Sequence, residues 1–205
     1  MTTILWFGRD LRLADNHALA AAVSRGQAII PLFILDDEDS GNWAAGGASH
    51  WWLHGSLEAL SDALRRRGTQ LILRRGKAEA AIERTVQQTG ATAVYWDRRY
   101  EPWATARNER LKNGLTERGI SAKSFNSALI REPWTLKTRS GDPYRVFTPF
   151  CVLSCRLRLA PTLLLSSSFS RRPLSRGFGS TKSDQKNYFV RVPSLGGSVF
   201  HHFDE

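Results

Sequence analysis

The sequence predicts an α/β domain in which a parallel sheet is covered by helices on both faces. Three observations support this prediction. Short apolar runs alternate with amphipathic stretches over residues 1–125. Most of the amphipathic stretches end at a glycine or a cluster of basic residues, as helices do. Strands that are separated by helices pair in parallel, because a parallel connection has to cross over the sheet.

Five apolar or β-rich runs are predicted to be the strands of this sheet. They are Thr3–Phe7, Ala28–Leu35, Thr69–Leu73, Ala93–Trp96 and Ser121–Phe125. Runs that are apolar throughout, rather than alternating with polar residues, indicate strands that are buried on both faces. Pro31 lies inside the second run and is expected to weaken it locally or to mark a bulge, since proline has no N–H for the sheet.

Four amphipathic stretches are predicted to be the helices between these strands: Asn16–Arg25, Ser49–Arg67, Lys77–Thr89 and Glu101–Arg118. Asp15 or Asn16 can cap the first helix, and Pro102 suits the first turn of the fourth. Together the elements predict a five-stranded, parallel, doubly wound sheet of the Rossmann-like kind. Its ligand site is expected beyond the C-terminal ends of the strands.

The composition of the chain changes at residue 151. All seven Trp lie between Trp6 and Trp134, whereas Ser occurs nine times in residues 1–150 and ten times in residues 151–205. We therefore predict a folded domain at 1–130, a proline-containing connector at 131–150 and a basic, Ser-rich tail at 151–205. The tail has little apolar periodicity and is expected to be poorly ordered.

The net charge of +10 is divided unevenly along the chain. Residues 1–150 carry 21 basic and 16 acidic residues, while residues 151–205 carry 8 and 3, so each part contributes +5. The first part is only mildly basic, which argues against direct nucleic-acid binding by it. No apolar run has the roughly 18 residues of a membrane span, and the N-terminus does not resemble a signal peptide. We expect a cytoplasmic protein.

Several common functional motifs are missing from the sequence. There is no Walker-type phosphate loop, no GxGxxG motif and no nucleophile elbow, so neither a Rossmann dinucleotide site nor a catalytic residue is predicted. His50 and His54 are four positions apart on a predicted helix, as a metal pair would be, but no third ligand is evident. A packed or solvated helix face is the preferred interpretation, and no metal is expected.

Two polar clusters follow the first and the fourth predicted strands. The first contains Arg9, Asp10, Arg12, Asp15 and Asn16, and the second contains Arg98, Arg99, Tyr100 and Glu101. Helix capping, local ion pairs and packing could explain these residues one by one. Because both clusters face the same edge of a parallel sheet, they also fit a site for an anionic, planar ligand.

Four ordered blocks within residues 1–150 resemble the DNA photolyase and cryptochrome family. They are WFGRDLRLADNHAL, SHWWLHGSLEAL, RRYEPW and GDPYRVFTPF. In that family this region is the N-terminal α/β antenna domain, and a larger helical domain that holds FAD and binds damaged DNA follows it. The resemblance implies that an auxiliary chromophore absorbs light and passes the excitation energy to the reduced flavin, which splits a cyclobutane pyrimidine dimer.

The two polar clusters, taken together with this resemblance, supply the candidate contacts of the antenna chromophore. The candidates are Arg9, Asp10, Asn16, Arg98, Arg99, Tyr100 and Glu101. Arg9 and Glu101 match positions used around deazaflavin or flavin antennas, whereas Arg99 stands where an acidic residue would help a deazaflavin. Folate-type members place Asn-Glu where this chain has Trp103 and Ala104. The pigment is therefore left open among deazaflavin, flavin and folate types, and some family members have none.

The helical FAD domain of the family is not recognisable after Phe150. Family members usually continue FTPF with Trp, often followed by Arg-Ala, and deleting one G from TGG CGT GCT gives TGC GTG CT, which is translated Cys-Val-Leu. Residues 151–153 are Cys-Val-Leu. We hypothesise a single-base deletion at this codon, with an out-of-frame tail behind it; a native, divergent basic tail is the alternative.

The predicted function is the antenna domain of a truncated deoxyribodipyrimidine photolyase. The chain alone is expected neither to repair DNA nor to bind damaged DNA specifically, because the FAD and lesion sites of the family lie in the helical domain. A stand-alone nucleotide-binding, flavin-binding or cryptochrome-type sensor module without catalysis is the alternative, as is a non-functional relic. The oligomeric state is not predicted.

Overall fold

A computed structural model describes residues 1–156 except 40, 42, 43 and 130, together with two short strands nearer the C-terminus. The elements of the first range are β1 (Thr2–Phe7), α1 (His17–Ser24), β2 (Ala28–Leu35), α2 (Gly47–Arg65), β3 (Ile72–Arg75), α3 (Ala78–Thr89), β4 (Ala93–Asp97), α4 (Pro102–Glu117), β5 (Ser121–Phe125), a 3-10 helix (Pro133–Thr135) and α5 (Phe147–Arg156). The two short strands are β6 (Tyr188–Phe189) and β7 (His202–Phe203), which pair antiparallel.

The first five strands form one sheet in the order β3-β2-β1-β4-β5, and every neighbouring pair is parallel. The chain builds outwards from β1 to β3, then returns to the other side of β1 with β4. The order therefore reverses between β1 and β4, and the loops that follow these two strands diverge. The predicted α/β fold is confirmed.

Helices cover both faces of the sheet, because successive side chains of a strand point to opposite faces. In β1, Leu5 and Phe7 pack with residues of α1 and α2, such as Leu60. Ile4 and Trp6 face the other way and pack with residues of α3 and α4. Burial on both faces is why the central strands read as continuous apolar runs in the sequence.

The third strand begins later than the sequence predicts. It starts at Ile72 rather than Thr69 and includes Arg74–Arg75. The backbone N–H of Thr69 donates to the carbonyl of Leu64 at 3.2 Å, so this part of the chain still closes the end of α2. Because β3 is an edge strand, it tolerates arginines that a central strand would exclude.

Pro31 does not interrupt β2. It lies in register opposite Leu5 of β1, and the ladder continues without a bulge through Phe33. Pairing of β2 with β3 starts at Leu32, one residue after the proline. The expected local bulge is therefore not formed.

Two helix ends are confirmed. Asn16, rather than Asp15, caps α1, since the N–H of Leu19 donates to Asn16 Oδ1 at 2.7 Å. Gly90 ends α3 in the left-handed conformation, with φ of 61°, where a side chain would be strained. Asn16 therefore sets where α1 begins, and Gly90 sets where α3 ends.

Part of the predicted connector packs on the domain. Leu136 is 2% exposed, and the 3-10 helix at Pro133–Thr135 precedes it. Helix α5 begins inside the connector and continues across residue 151. The expectation of a poorly ordered tail lies outside the described residues, apart from the end of α5 and strands β6 and β7. In the part that is described, no helix is both long enough and apolar enough to cross a membrane.

Candidate functional site

A cavity of about 820 Å³ opens at the C-terminal edge of the sheet. Its base is formed by the ends of β1, β2 and β4, and its sides by the first turns of α2 and α4. This is the edge at which the strand order reverses, where open α/β sheets bind their ligands. Its lining includes the side chains of Arg9, Asp97, Arg99 and Trp103.

Glu101 holds two arginines at the rim of this cavity. Arg9 Nη1 lies 3.0 Å from Glu101 Oε1, and Arg99 Nη2 donates to the same oxygen at 2.9 Å. The hydrogen bond from Arg99 is the main cause that lowers the pKa of Glu101 to about 2, so this carboxylate stays ionised. With two cations against one carboxylate, the rim keeps a net positive charge that favours an anionic ligand.

A ladder of cations and aromatic rings forms one wall of the cavity. The guanidinium of Arg99 lies 4.7 Å from the ring centroid of Trp103. Arg107 lies on the same indole at 5.2 Å and also 5.0 Å from the ring of Trp6. Alternating guanidinium and indole groups stabilise one another and present flat surfaces, which suits a planar ligand.

Arg107 forms a buried ion pair with Asp36, and both residues belong to the lining of the cavity. Arg107 Nη1 lies 3.2 Å from Asp36 Oδ2, and their side chains are only 3% and 6% exposed. Burial alone would raise the pKa of Asp36, but hydrogen bonds from the N–H groups of Asp39 and Ala78, together with the charge of Arg107, lower it below its usual value. The pair is therefore charged, and each member compensates the other.

Asp10, Asn16 and Asp97 form a second buried group beside the cavity. Asn16 Nδ2 donates to Asp97 Oδ2 at 3.4 Å, while Asp97 Oδ1 and Asp10 Oδ2 are buried without a hydrogen-bond partner among the described residues. Burial and then the neighbouring Asp10 charge raise the pKa of Asp97 to about 7. Burial also raises the pKa of Asp10. The predicted site residues Asp10 and Asn16 thus lie next to the cavity. Asp97, which contacts Asn16, belongs to the lining of the cavity.

Arg98 and Tyr100 contact the connector instead of the cavity rim. Both reach Glu132: Arg98 Nη1 pairs with Oε1, and the Tyr100 hydroxyl donates to Oε2 at 2.7 Å. Burial and then the hydrogen bond to Glu132 raise the pKa of Tyr100 to about 12, so the phenol keeps its proton. Arg98 also lies 5.3 Å from the ring of Trp134. The structure does not bring these two candidates together with Arg9, Arg99 and Glu101.

Sequence reasoning did not select four residues of this region: Asp36, Asp97, Arg107 and Glu132. Arg107 had a detectable signal, because it falls on the buried face of α4 with Ala104 and Leu111. Asp36 and Asp97 also had a signal, because each directly follows an apolar run of the sequence. Glu132 had none, since its partners are 34 and 32 positions away along the chain.

The two histidines considered as a metal pair have separate carboxylate partners. His50 Nε2 lies 3.3 Å from Asp37 Oδ1, and His54 Nε2 lies 3.7 Å from Glu58 Oε2. Among the residues that the structure describes, no three or more His, Cys, Asp or Glu side chains are grouped to hold a metal ion.

Comparison with protein families decides what this chain is related to. The family model for DNA photolyase matches residues 3–162. The chain belongs to the DNA photolyase family. It is 46% identical over 147 residues to the deoxyribodipyrimidine photo-lyase of Agrobacterium fabrum, covering 72% of this chain and 30% of the relative. It is 41% identical over 149 residues to cryptochrome-1 of Arabidopsis thaliana, covering 72% and 22%. The chain thus spans less than a third of these two relatives.

Solved photolyase structures have the same fold. A bacterial class III photolyase from Agrobacterium tumefaciens superposes with a TM-score of 0.69 at 44% identity, over 75% of this chain and 31% of that one. An archaeal photolyase from Sulfolobus tokodaii gives 0.63 at 28% identity, over 77% and 35%. The latter is described as holding two FAD molecules, with the implication of a novel light-harvesting cofactor. The predicted photolyase and cryptochrome relationship is confirmed.

Proposed function

We propose that this chain carries the antenna domain of a photolyase-type flavoprotein, with the cavity at the C-terminal edge of the sheet as its chromophore site. The observation that carries the proposal is a cationic rim at Arg9 and Arg99 beside the flat wall of Trp103. The second FAD of the Sulfolobus tokodaii photolyase supports it, because that protein has the same fold. The parent protein would split cyclobutane pyrimidine dimers in DNA, using light and FAD.

The side chains present fit a planar, anionic pigment. Arg9 is 76% exposed, so its guanidinium can reach a phosphate or carboxylate of the ligand as well as Glu101. The planar groups of Arg99, Trp103 and Arg107 line the cavity together, and a ring system can pack against them. Trp96 lines the base of the cavity, and its buried Nε1 has no acceptor among the described residues. A carbonyl or ring nitrogen of the ligand would satisfy it.

In this proposal the protein binds and orients the pigment, and the pigment supplies light absorption and the transfer of excitation energy. Arg99 keeps its place because Glu101 and Trp103 hold it from two sides. Arg107, which is held by its ion pair with Asp36, contacts the indole ring of Trp103. Deazaflavin, flavin and folate pigments share a planar ring and an anionic group, so the rim and wall serve all three, and experiment distinguishes them.

A binding titration tests the proposed site. The purified chain is titrated with flavin mononucleotide and, separately, with methenyltetrahydrofolate, and binding is followed by fluorescence. We expect one of the two to bind at one site per chain, or a bound pigment to be visible in the protein as purified. Arg9→Gln should weaken binding, whereas Arg110→Gln, on the exposed side of α4, should not. A colourless chain that binds neither of these pigments nor a deazaflavin would contradict the antenna assignment.

We further propose that this chain by itself neither splits dimers nor binds damaged DNA specifically, since the family resemblance implies that the FAD and lesion sites belong to the helical domain. Loss of dimers under blue light with added FAD would contradict this. The same titration separates the alternatives. A sensor or flavin-binding module would bind pigment, whereas a non-functional relic would bind none and would aggregate through its exposed apolar residues. A cytoplasmic location stays a prediction.

The frame change at residue 151 also remains a proposal. It predicts that the nucleotide sequence downstream encodes a helical FAD domain in an alternative frame. If no frame contains such a domain, the native-tail interpretation is correct.

A further inference from the structure

We propose that Glu132 is a positioning residue of the cavity. Its carboxylate binds Arg98 and Tyr100 and so fixes the chain segment between β4 and α4. The other side chains of this segment, Arg99 and Glu101, lie at the cationic rim. The meaning of this rim for a pigment rests on the proposed function. The interactions of Glu132 with Arg98 and Tyr100 are contacts within the domain, and their effect on the segment can be measured without any ligand.

The segment between β4 and α4 presents alternate residues to opposite sides. Arg98 and Tyr100 reach Glu132, whereas Glu101 bonds to Arg9 and Arg99 at the rim. The extended backbone at Glu101, with φ of −65° and ψ of 137°, is consistent with this alternation. Because a stretch of four residues serves both sides, a shift on the connector side has to move the rim.

Glu132 is built to hold both partners at once. Its side chain is 12% exposed, and each carboxylate oxygen has its own partner, Arg98 on Oε1 and Tyr100 on Oε2. Its carbonyl accepts from the backbone N–H of Thr135 at 3.0 Å and from the Thr135 hydroxyl at 2.7 Å. Backbone and side chain are therefore both fixed, which is what a positioning residue requires.

The two ends of the segment depend on Glu132 to different degrees. The N–H of Arg98 donates to the carbonyl of Phe125 at 2.7 Å, and its Nη2 donates to the carbonyl of Ser124 at 3.1 Å. Arg98 thus stays tied to β5 if Glu132 is removed. Of its two hydrogen bonds, Tyr100 would keep only the longer one, 3.3 Å to Asn126 Oδ1, beside a ring contact with Trp134 at 6.4 Å between centroids. The loss of Glu132 should therefore loosen the half of the segment that carries Glu101.

Amide hydrogen exchange on the full chain without ligand tests this inference. In Glu132→Gln we expect the amide of Thr105, which donates to the carbonyl of Glu101 at 2.9 Å, to exchange about tenfold faster, while the core amides of β1 and β4 stay unchanged. Tyr100→Phe should produce a similar change, and the double variant should add little to either, because both substitutions disrupt the same Tyr100–Glu132 hydrogen bond. Glu117→Gln, an exposed glutamate at the end of α4, is the matched control and should show no change.

Each outcome decides the matter. Unchanged exchange at Thr105, or faster exchange spread evenly over the whole sheet, would overturn the positioning role. Strictly additive effects of the two substitutions would also overturn it. If exchange responds as expected but no pigment binds the wild-type chain, the proposed antenna function fails while the positioning role of Glu132 stands. If pigment binds, its affinity should fall in Glu132→Gln and not in Glu117→Gln.

Discussion

At the scale of single residues, the site depends on charges that are buried next to the cavity. Arg107 and Asp36 neutralise each other almost without solvent, whereas Asp97 keeps one oxygen without a partner among the described residues. The first arrangement is stable only as a pair. The second makes the carboxyl of Asp97 easy to protonate. Substitutions at these two places should therefore behave differently with pH.

Removing Arg107 should destabilise the domain strongly. Arg107→Ala leaves Asp36 charged and buried and removes the cation between Trp6 and Trp103, so we expect the free energy of unfolding to fall by about 3 kcal/mol. Arg110→Ala is the control, since Arg110 is 62% exposed and its pair with Glu79 should be worth at most about 1 kcal/mol. Urea unfolding followed by circular dichroism measures both. Equal losses in the two variants would refute the buried-pair account.

Asp97 should make stability depend on pH. Its pKa is about 7 in the folded chain against an ordinary value of 3.8, so the folded state binds this proton more tightly. The stability contributed by the proton is complete below pH 4, roughly, and is lost as the pH rises through about 7. Relative to wild type, Asp97→Asn should therefore gain roughly 1–3 kcal/mol of stability between pH 5 and pH 8.

The control for this pH dependence is Asp62→Asn, at an exposed position of α2. Urea unfolding at both pH values should give nearly the same difference from wild type for this variant. An Asp97→Asn chain whose stability relative to wild type does not change between pH 5 and pH 8 would show that Asp97 titrates normally.

At the scale of elements, local sequence was enough to predict most strands and helices. The strands buried on both faces read as apolar runs, and helix ends carried their usual signals, such as Asn16 and Gly90. The exceptions are places where position in the sheet outweighs local pattern. Arg74–Arg75 obscured the edge strand β3, and the neighbouring strands kept Pro31 in register without a bulge.

Two glycines should respond in opposite directions to the same substitution. Gly90 has φ of 61° at the end of α3, so Gly90→Ala should lower the free energy of unfolding by about 1 kcal/mol. Gly114 lies inside α4, and a Cβ there would meet no atom within 4 Å, so Gly114→Ala should raise it by roughly 0.5–1 kcal/mol. Thermal unfolding of both variants tests this pair. Destabilisation by both substitutions would mean that α4 is not a regular helix at Gly114.

At the scale of the whole molecule, the position of the site could be predicted from the sequence better than the set of residues that form it. The edge of the sheet followed from the alternation of strands and helices, which predicts a parallel sheet, and Arg9, Arg99 and Glu101 meet there. Glu132 and Asp36 could not be found, because their partners lie far away along the chain and only the fold brings them together. The contacts of Glu132 also join the segment that follows β4 to the start of the connector.

The central claim is that the cavity at the edge of the sheet holds an antenna pigment. Its most direct test is the near-ultraviolet and blue absorbance of the purified chain, either as isolated or after incubation with flavin mononucleotide or methenyltetrahydrofolate. The comparison includes Trp103→Ala and Arg9→Gln, with Trp51→Ala as control because Trp51 is 66% exposed and does not line the cavity. Circular dichroism verifies that each variant is folded.

We expect the wild-type chain and Trp51→Ala to show a pigment band and the two cavity variants to lose most of it. A band of equal strength in all four proteins would place the pigment elsewhere, and the absence of any band from the wild type would contradict the antenna account.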